Sequence, residues 1–577
     1  MTSSTNAPTQ VQPRVGVYVC HCGTNIAGIV DVEAVTQFAA SLSDVVVARH
    51  YSYMCSDPGQ ALIAEDIRKE GLNRVIVASC TPNMHEGTFR KACAEAGLNP
   101  FLFQMTNIRE HCSWVHSREK ELATQKAKDI VRMSVARTSL LEPLQEFDLP
   151  VNKTGLVVGG GLAGMTAALS MADQGFEVYL IEKDSDLGGM ARRLRYTLEG
   201  LDVQTFLGEV VRKVYRHPLI HVSTDATITE VSGYVGNFVT KVQAEGRVKE
   251  IQHGAAILAV GAEEYRPTEY LYGTEDRVVT QLELEEQITS EAEWLTDPQT
   301  MVMIQCVGCR NEDRNYCARI CCSQAIKNSL KLKELNPEMD IYILFRDIRT
   351  YGFREDHYRE ASERDVRFIR YEPEDKPQVE AVEEGGRRFL RVAVTDPILG
   401  QKLAIDADAI TLSAAVIPSA GIQEMARLFK VSLSPDGFFQ EAHAKLRPVD
   451  FAAEGIFLCG TAHYPKHVAE TISQAYGAAG RAITLLSQDT VTASGSVCEV
   501  TEDACIACGA CVRACTYGAV DLHETRQGKK AAVNPILCKG CGLCNAKCPT
   551  GAIYLRHYTD DAILSQVDAA IPDLVAV

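Results

Sequence analysis

Two runs of cysteines near the end of the chain have the spacing of iron-sulfur ligands. They read Cys505-x-x-Cys508-x-x-Cys511-x-x-x-Cys515 and Cys538-x-x-Cys541-x-x-Cys544-x-x-x-Cys548-Pro549. In such paired runs three closely spaced thiolates bind one [4Fe-4S] cube, and the fourth thiolate crosses to the other cube. The spacing therefore predicts one cluster on Cys505, Cys508, Cys511 and Cys548 and another on Cys538, Cys541, Cys544 and Cys515.

A glycine-rich loop between a predicted strand and a predicted helix indicates a dinucleotide site. Gly159, Gly161 and Gly164 fit the pattern G-x-G-x-x-G. The first glycine makes a tight turn, the second lets the backbone approach a pyrophosphate, and the third lets helix and strand pack closely. Glu182 ends the next predicted strand, where it is expected to bind the adenosine ribose. The other residues of this segment predicted to contact the dinucleotide are Leu162, Ala163 and Lys183.

Glycine turns further along the chain favour FAD as the dinucleotide. Leu187-Gly-Gly189-Met is a second turn of the kind that flavoproteins place beside FAD. The segments that end in Gly261 and Gly460 resemble the two returning strands of the disulfide-reductase flavoprotein family. We therefore predict that Gly189, Gly261 and Gly460 contact FAD. That family usually has Asp after the last of these glycines, whereas this chain has Thr461.

A third group of cysteines stands where a second glycine loop would bind NADPH. The apolar strand 301–304 leads into Gln305-Cys306-Val-Gly-Cys309-Arg310, followed by Tyr316-Cys317-Ala-Arg-Ile-Cys321-Cys322 at the start of a predicted helix. Thiolates in place of the pyrophosphate cradle predict a cluster that replaces the nucleotide as the electron partner of the flavin. The predicted ligands are Cys306, Cys317, Cys321 and Cys322. A redox dithiol formed by Cys306 and Cys309 is the alternative, but it leaves the remaining cysteines unexplained.

Cysteines also follow successive strands of a small parallel sheet that is predicted for residues 14–105. Since parallel strands end at one edge of a sheet, these thiols are expected to converge there. The predicted [4Fe-4S] ligands are Cys22, Cys55, Cys80 and Cys112, with Cys20 as the alternative ligand. Zinc is the alternative metal, because four thiolates suit both.

Composition limits the classes of function. The chain has 577 residues, room for about four domains, and its net charge of -17 argues against nucleic acid as a partner. No apolar run approaches the roughly 18 residues that span a bilayer, and residues 1–13 form a polar tail without a signal-peptide core. We therefore expect a cytoplasmic protein, in which the 21 cysteines serve metal or redox chemistry rather than disulfides.

Several longer segments resemble the family of flavin-containing A subunits of heterodisulfide reductase. These segments are 20–28, 53–60, 78–82, 111–116 and 305–327. Two features depart from the family, which usually has Ser at the position of Cys309 and often a ferredoxin-like insertion in the flavin domain. No cysteine cluster of that kind occurs between Leu198 and Trp294, so the chain is expected to be a compact member.

The resemblance implies an anaerobic oxidoreductase subunit with FAD and, counting the groups of ligands, about four [4Fe-4S] clusters. Its flavin would bifurcate electrons between ferredoxin and a disulfide or a similar acceptor. The implied partners are B-like and C-like subunits, an electron-input subunit linked to hydrogenase or formate dehydrogenase, and ferredoxin, in a homodimer of complexes. One alternative is a nonbifurcating relay in another anaerobic complex, such as one for aromatic acyl-CoA reduction or sulfate respiration. Another is a stand-alone FAD-dependent oxidoreductase for NAD(P)H or a thiol, which the missing second glycine loop disfavours.

Lys327 is the candidate catalytic residue. It follows Cys322 by five residues, about 1.4 helical turns, so its side chain can reach toward the isoalloxazine. Its positive charge would favour anionic reduced flavin and shift both one-electron potentials, on whose order bifurcation depends. The alternative is a solvated surface lysine.

Together these motifs predict an α/β protein with a thioredoxin-reductase-like FAD-binding core. A small parallel α/β cluster domain precedes the core, and an α+β ferredoxin domain with two clusters follows it. The predicted bounds are 1–135 for the N-terminal domain with a helical connector, 150–300 and 401–486 for the two parts of the FAD domain, 301–400 for the nucleotide-like domain, and 497–577 for the ferredoxin domain.

Overall fold

The computed structural model describes residues 12–292, 295, 299–493 and 495–571. Its contacts divide the chain into two units. One unit comprises the residues up to Asp148 together with those from Thr492 onward, and the other comprises Leu149–Val491. Within the described ranges, no helix combines the length and the apolar character needed to cross a bilayer.

The N-terminal part of the first unit is a parallel sheet covered by helices, as predicted. The strand order is β2-β1-β3-β4, and β1 and β3 are buried along their whole length, which is typical of central parallel strands. The elements are β1 (Val15–Cys20), α1 (Thr24–Ala27), α2 (Val32–Ala40), β2 (Val45–Tyr51), α3 (Asp57–Glu70), β3 (Arg74–Ser79), α4 (Pro82–Glu95), β4 (Phe103–Asn107), α5 (Lys120–Ser139) and β5 (Phe147–Pro150).

Helix α5 belongs to this domain and is more than a connector. It buries Ala123, Ala127 and Val131 against the sheet, because small residues at intervals of four lie on one helix face. The guanidinium of Arg74 donates to the carbonyls of Thr138 (3.1 Å) and Leu141 (2.7 Å) and so satisfies the C-terminal end of the helix.

The second unit begins with a five-stranded parallel sheet in the order β23-β12-β6-β7-β8 and an antiparallel sheet in the order β11-β10-β9. Helix α6 packs on the parallel sheet and is buried along most of its length, because it consists almost wholly of Ala, Leu, Met and Gly. The elements between residues 155 and 264, before the chain enters the second half of this unit, are β6 (Gly155–Val158), α6 (Leu162–Ala172), β7 (Val178–Ile181), α7 (Val203–Arg216), β8 (Ile220–Ser223), β9 (Ala226–Tyr234), β10 (Asn237–Ala244), β11 (Arg247–His253), β12 (Ala255–Leu258) and β13 (Ala262–Glu264).

The other half of this unit repeats the same architecture, with a parallel sheet in the order β14-β21-β15-β16-β17 and an antiparallel sheet in the order β18-β19-β20. Its elements are β14 (Val278–Thr280), α8 (Gln281–Thr289), β15 (Thr300–Val307), α9 (Cys321–Leu335), β16 (Asp340–Phe345), α10 (Arg354–Glu363), β17 (Val366–Arg370), β18 (Gln378–Glu384), β19 (Arg387–Asp396), β20 (Gln401–Ala407) and β21 (Ala409–Ala414). The chain returns to the first half through β22 (Val416–Pro418), which pairs with β13, followed by α11 (Ile422–Phe429), β23 (Ile456–Leu458) and α12 (Val468–Leu486).

The predicted bounds of 301–400 are therefore too narrow for the nucleotide-like half. Strands β14 and β21 lie outside those bounds but pair within its parallel sheet. The limit at 400 also falls between β19 and β20, two paired strands of the antiparallel sheet.

The first unit ends with two antiparallel strand pairs, two helices of 5 residues and one helix of 11 residues, as expected for the α+β ferredoxin domain. The elements are β24 (Thr490–Ala493), β25 (Cys498–Val500), α13 (Ala510–Ala514), β26 (Val520–Thr525), β27 (Gly528–Val533), α14 (Leu543–Lys547), β28 (Ile553–Leu555) and α15 (Asp560–Ala570). Strand β25 pairs antiparallel with β28, and β26 with β27. Helix α15 packs on α5, and the guanidinium of Arg132 donates to the carbonyl of Ala569 (2.5 Å).

Candidate flavin and iron-sulfur sites

The three glycines of the predicted dinucleotide loop have different roles. Gly159 has a φ of 104°, and a Cβ there would lie 2.4 Å from the carbonyl oxygen of Ala259. A Cβ on Gly164 would lie 1.8 Å from the carbonyl oxygen of Gly159, so this glycine allows helix α6 to pack against the loop. A Cβ on Gly161 would meet no protein atom within 4 Å. Gly161 therefore keeps the backbone accessible to a ligand.

One large cavity of about 1,210 Å³ opens at this loop within the second unit. The predicted contact residues that line it are Gly159, Gly161, Leu162, Ala163, Glu182, Lys183, Gly189, Gly261 and Lys327. Thr461 lines it as well, whereas Gly164 and Gly460 do not. A Cβ on Gly460 would lie 2.7 Å from the Cβ of Ala163, so this glycine is needed for packing behind the loop.

Glu182 is held rigidly in the wall of this cavity. It is buried; its Oε2 accepts a hydrogen bond from the amide of Gly160 (2.6 Å), and its Oε1 accepts one from the amide of Asp184 (2.9 Å). Backbone donors on both oxygens fix the carboxylate where the dinucleotide-binding pattern requires an acceptor.

Unpaired polar atoms show that the cavity fits a polar ligand. Ser323 Oγ, Gln324 Nε2, Ser419 Oγ and His467 Nε2 are buried, line the cavity and have no hydrogen-bond partner among the described residues. Each such atom destabilises the fold unless a ligand or water satisfies it. The glycine cradle, the buried acceptor of Glu182 and these atoms together fit FAD.

Lys327 is buried in the wall of the cavity, so the alternative of a solvated lysine is wrong. Its Nζ donates to Glu285 Oε2 (2.6 Å) and to the carbonyl of Tyr196 (2.8 Å), and it lies 4.6 Å from the centre of the Tyr196 ring. Burial lowers the pKa of Lys327, while the charge of Glu285 opposes this shift.

The cysteines at the end of strand β15 and in the loop after it come together at the start of α9. Cys306, Cys309, Cys321 and Cys322 pack in one cluster, and Cys317 interacts electrostatically with Cys309. The thiol of Cys309 donates to Cys306 and, with Arg310, lowers the pKa of Cys306 to about 6. The amide of Arg319 donates to Cys317 Sγ (3.2 Å). Donors directed at these sulfurs stabilise thiolates, the form that binds iron.

Arg319 connects this cysteine group to the segment at the start of α12, in the half of the unit that carries the dinucleotide loop. The residue has a φ of 60°, which is unusual for a residue with a side chain. Its guanidinium donates to the carbonyl of Pro465 (3.0 Å) and to Glu470 Oε1 (2.8 Å), at the start of α12. The loop that carries Cys317 and Cys321 is thereby tied to the segment that follows Thr461.

At the N-terminal sheet edge Cys22 has a central position. It packs against the apolar cluster that contains Cys112 and against the one that contains Cys20 and Cys80, and Cys55 packs against the latter.

Hydrogen bonds reach two of these sulfurs. Cys20 Sγ accepts hydrogen bonds from the amides of Cys22 (3.3 Å) and Met54 (3.4 Å), while Arg109 Nη1 donates to Cys22 Sγ (3.4 Å). Burial raises the pKa of Cys112 to about 11, and the neighbouring charges are Lys126 and Asp129 of helix α5. The geometry thus retains Cys20 as the alternative ligand.

Seven of the eight ferredoxin-type cysteines lie near cysteines that the crossing rule assigns to the same predicted cluster. A small cavity of about 20 Å³ is lined by Cys505, Cys508, Cys511 and Cys548. Cys544 interacts electrostatically with Cys538 and Cys515, and Cys541 is exposed. In the described part of the chain no three His, Cys, Asp or Glu side chains already surround a common metal position.

Two functional candidates were missed by the sequence analysis. Cys498 is buried, its Sγ lies 3.5 Å from Cys544 Sγ, and its amide donates to Cys538 Sγ (3.5 Å). Lys466 is buried in the wall of the flavin cavity. Cys498 lies outside the recognised cysteine run. Lys466 belongs to a loop without a motif, and its position five residues after Thr461 is the one sequence signal that could have pointed to it.

Two segments of the chain match family models of known proteins. Residues 504–552 match the model of a 4Fe-4S dicluster domain, and residues 157–215 match that of an NAD(P)-binding Rossmann-like domain. Among solved structures, a thioredoxin reductase from T. acidophilum is similar, with 15% identity and a TM-score of 0.40 over 58% of this chain and 97% of that chain.

Full-length relatives are named for a specific enzyme. The second iron-sulfur A subunit of the CoB–CoM heterodisulfide reductase of Methanopyrus kandleri is 38% identical over 90% of this chain and 92% of its own. The A subunit of the H(2):CoB-CoM heterodisulfide,ferredoxin reductase of Methanothermobacter marburgensis is 37% identical over 98% of each chain. The latter alignment extends over 658 positions, so this relative has segments that the 577-residue chain lacks. With such identity over nearly its whole length, the chain belongs to the family of heterodisulfide reductase A subunits and is an oxidoreductase subunit with a dicluster domain.

Proposed function

We propose that this chain is the FAD-binding, electron-bifurcating subunit of a heterodisulfide-reductase-type complex. Electrons enter in pairs; one electron of each pair passes to ferredoxin and the other toward a disulfide or a similar acceptor. Two turnovers thus deliver the electron pair that reduces a disulfide. Bound FAD would supply the necessary chemistry, because a flavin accepts electrons as a pair and releases them singly.

The continuity of the cavity with the start of α9 supports this function. Gly161 and Lys327 line the same cavity, and α9 begins with Cys321 and Cys322. A dinucleotide on the glycine loop would therefore extend toward thiolates, in the half of the unit where a nicotinamide cofactor would otherwise bind. This arrangement favours exchange of single electrons with a cluster over hydride transfer from NADPH.

The proposed cofactors are FAD and about four [4Fe-4S] clusters, the count given by the groups of cysteine ligands. The N-terminal sheet edge and the start of α9 would hold one cluster each, and the dicluster domain would hold the remaining pair. The proposed partners are B-like and C-like subunits, an electron-input subunit linked to hydrogenase or formate dehydrogenase, and ferredoxin, in a homodimer of complexes. The name of the M. marburgensis relative includes H(2), the heterodisulfide and ferredoxin.

Coupling of the two acceptors distinguishes bifurcation from a simple relay. The native complex, purified without oxygen, would be supplied with its electron donor, with ferredoxin, and with or without a disulfide acceptor. Under bifurcation, ferredoxin is reduced only while the disulfide is reduced, in a ratio of two ferredoxin electrons to one disulfide. Equal rates of ferredoxin reduction in both conditions would contradict the proposal and favour a nonbifurcating relay.

A further inference from the structure

Lys466 brings a positive charge into the flavin cavity, where it forms no ion pair with a described carboxylate. Its side chain is 5% exposed, and its Nζ donates to the carbonyls of Gly460 (2.5 Å) and Tyr464 (3.1 Å). The ammonium also lies 4.0 Å from the centre of the Tyr464 ring. Because an ammonium has three N–H donors, these contacts leave one donor for a ligand of the cavity.

The two lysines of the cavity differ in the partner that balances them. Lys327 contacts the carboxylate of Glu285 at 2.6 Å, so its positive charge is paired with a negative one. Lys466 contacts carbonyl oxygens and an aromatic ring, which carry no net charge. The field of an ion pair decreases faster with distance than that of a single charge, so Lys466 dominates the potential at a ligand equally distant from both lysines.

We infer that Lys466, more than Lys327, supplies the charge that stabilises the anionic reduced flavin. This inference rests on the FAD site of the proposed function. Lys466 directly follows Pro465, whose carbonyl accepts from Arg319 of the cysteine-bearing loop. The lysine is therefore tied to the part of the cavity nearest the cysteines, the end expected to face the isoalloxazine rather than the adenosine.

The environment of Lys466 supports a role toward an anion. Burial lowers its pKa to about 7; the Cys459 thiol, Glu470 and Glu441 oppose this shift, and Arg319 adds to it. A buried cation in such surroundings is destabilising until an anionic group comes near. Lys466 also precedes the N-terminus of α12, whose dipole adds a positive potential of the same sign at the cavity.

The test compares Lys466→Met with Lys466→Arg in the anaerobic native complex. Lys466→Met removes a buried charge without adding volume, so the fold should be retained, and Lys466→Arg keeps the charge. The exposed Lys445, outside the cavity lining, provides the control variant Lys445→Met. FAD content and both one-electron potentials of the flavin would be measured by spectroelectrochemical titration.

We expect all variants to retain FAD. Only Lys466→Met should lower the equilibrium constant for forming the anionic reduced flavin. A tenfold loss corresponds to about 59 mV for a one-electron couple. Unchanged potentials in Lys466→Met with full FAD content would overturn the inference. Loss of FAD with unchanged potentials in the remaining flavin would also overturn it, by indicating that Lys466 binds the pyrophosphate.

This outcome is separable from that of the proposed function. If the wild-type complex contains FAD but reduces ferredoxin without a disulfide, bifurcation fails, and the effect of Lys466 on the potentials can still be measured. If ferredoxin reduction is coupled but the potentials of Lys466→Met match those of the wild type, the role of Lys466 alone is contradicted.

Discussion

The ammonium of Lys327 lies 2.6 Å from a carboxylate oxygen of Glu285, and both side chains are buried. Glu285 belongs to α8 and Lys327 to α9, so the ion pair joins two helices of the nucleotide-like half. Glu285 Oε1 also accepts the amide of Arg195 (2.6 Å). The pair thus fixes the cavity wall in addition to placing a lysine near the flavin.

Removal of either member of this pair should destabilise the protein more than removal of both. Lys327→Met leaves a buried carboxylate without its cation, at a cost of about 3–5 kcal/mol for an unpaired buried charge. The double variant Lys327→Met, Glu285→Gln should recover most of that loss. The free energy of unfolding would be measured in denaturant, from the rise in flavin fluorescence, for the wild type, the two single variants and the double variant. Additive losses in the double variant would show that the two residues act independently.

The same cycle tests the role that the sequence analysis assigned to Lys327. We expect the double variant to change the flavin potentials only slightly, because it removes a cation and an anion together. Lys327→Met alone should retain FAD and iron but change the potentials and weaken coupled ferredoxin reduction, because the charge of Glu285 then acts without its counterion. Wild-type potentials and coupling in that single variant would exclude an electrostatic role of this pair.

Two glycine substitutions should separate ligand binding from packing. A methyl group on Gly161 meets no protein atom within 4 Å, so Gly161→Ala should fold normally but bind FAD at least tenfold more weakly, since the methyl group enters the cavity. A methyl group on Gly164 would lie 1.8 Å from the carbonyl oxygen of Gly159, so Gly164→Ala should impair folding itself. Circular dichroism and FAD titration of apoprotein would distinguish the two. Unimpaired FAD binding by Gly161→Ala would place the pyrophosphate elsewhere.

Nicotinamide cofactors should not reduce the flavin rapidly. At the end of β15 the chain has Cys306-Val-Gly-Cys309 instead of G-x-G-x-x-G, so the nucleotide-like half lacks a pyrophosphate cradle at that position. Anaerobic stopped-flow mixing of the isolated protein with NADH or NADPH should leave the flavin absorbance unchanged for many seconds, whereas dithionite should bleach it. Rapid bleaching by either nucleotide would contradict the replacement of the nucleotide by a cluster.

Sites that depend on short sequence spacing could be predicted, whereas contacts between distant segments could not. The separation of Gly159 from Gly164 fixes a loop and a helix start by local geometry alone, and the structure has both. The pairing of Lys327 with Glu285 joins residues 42 positions apart and depends on how α8 packs against α9. The helical period places Lys327 relative to Cys322 but does not predict Glu285 on another helix as its partner. Lys466 is charged and yet buried, which reverses the usual expectation for lysine.

Cys498 should tune the cluster predicted on Cys538, Cys541, Cys544 and Cys515. Its thiol lies 3.5 Å from Cys544 Sγ, close enough to donate to a ligand sulfur. Hydrogen bonds to ligand sulfurs stabilise the more negative, reduced cluster, so Cys498→Ala should lower the potential of one ferredoxin-type cluster without loss of iron. EPR-monitored redox titration would measure this shift, with the helical Cys93→Ala as the control. Loss of one cluster in Cys498→Ala would instead identify Cys498 as a ligand.

The number of clusters and the sharing of ligands between the two cysteine runs can be tested by iron content and EPR. Anaerobically purified protein should contain about 16 iron atoms per chain, four for each of four clusters. Because Cys505 and Cys548 line the same small cavity although 43 positions separate them in the sequence, serine variants at either position should lose the same EPR signal and about four irons.

Cys515→Ser is the matched control, since it lies in the same run as Cys505 yet is close to Cys544. It should lose the other signal of the pair and leave the first intact. If Cys505→Ser and Cys515→Ser lost the same signal, each run would bind its own cluster and the crossing arrangement would be wrong. Iron at about half the expected level in the wild type would mean that only the dicluster domain binds clusters, because that domain alone accounts for about eight atoms.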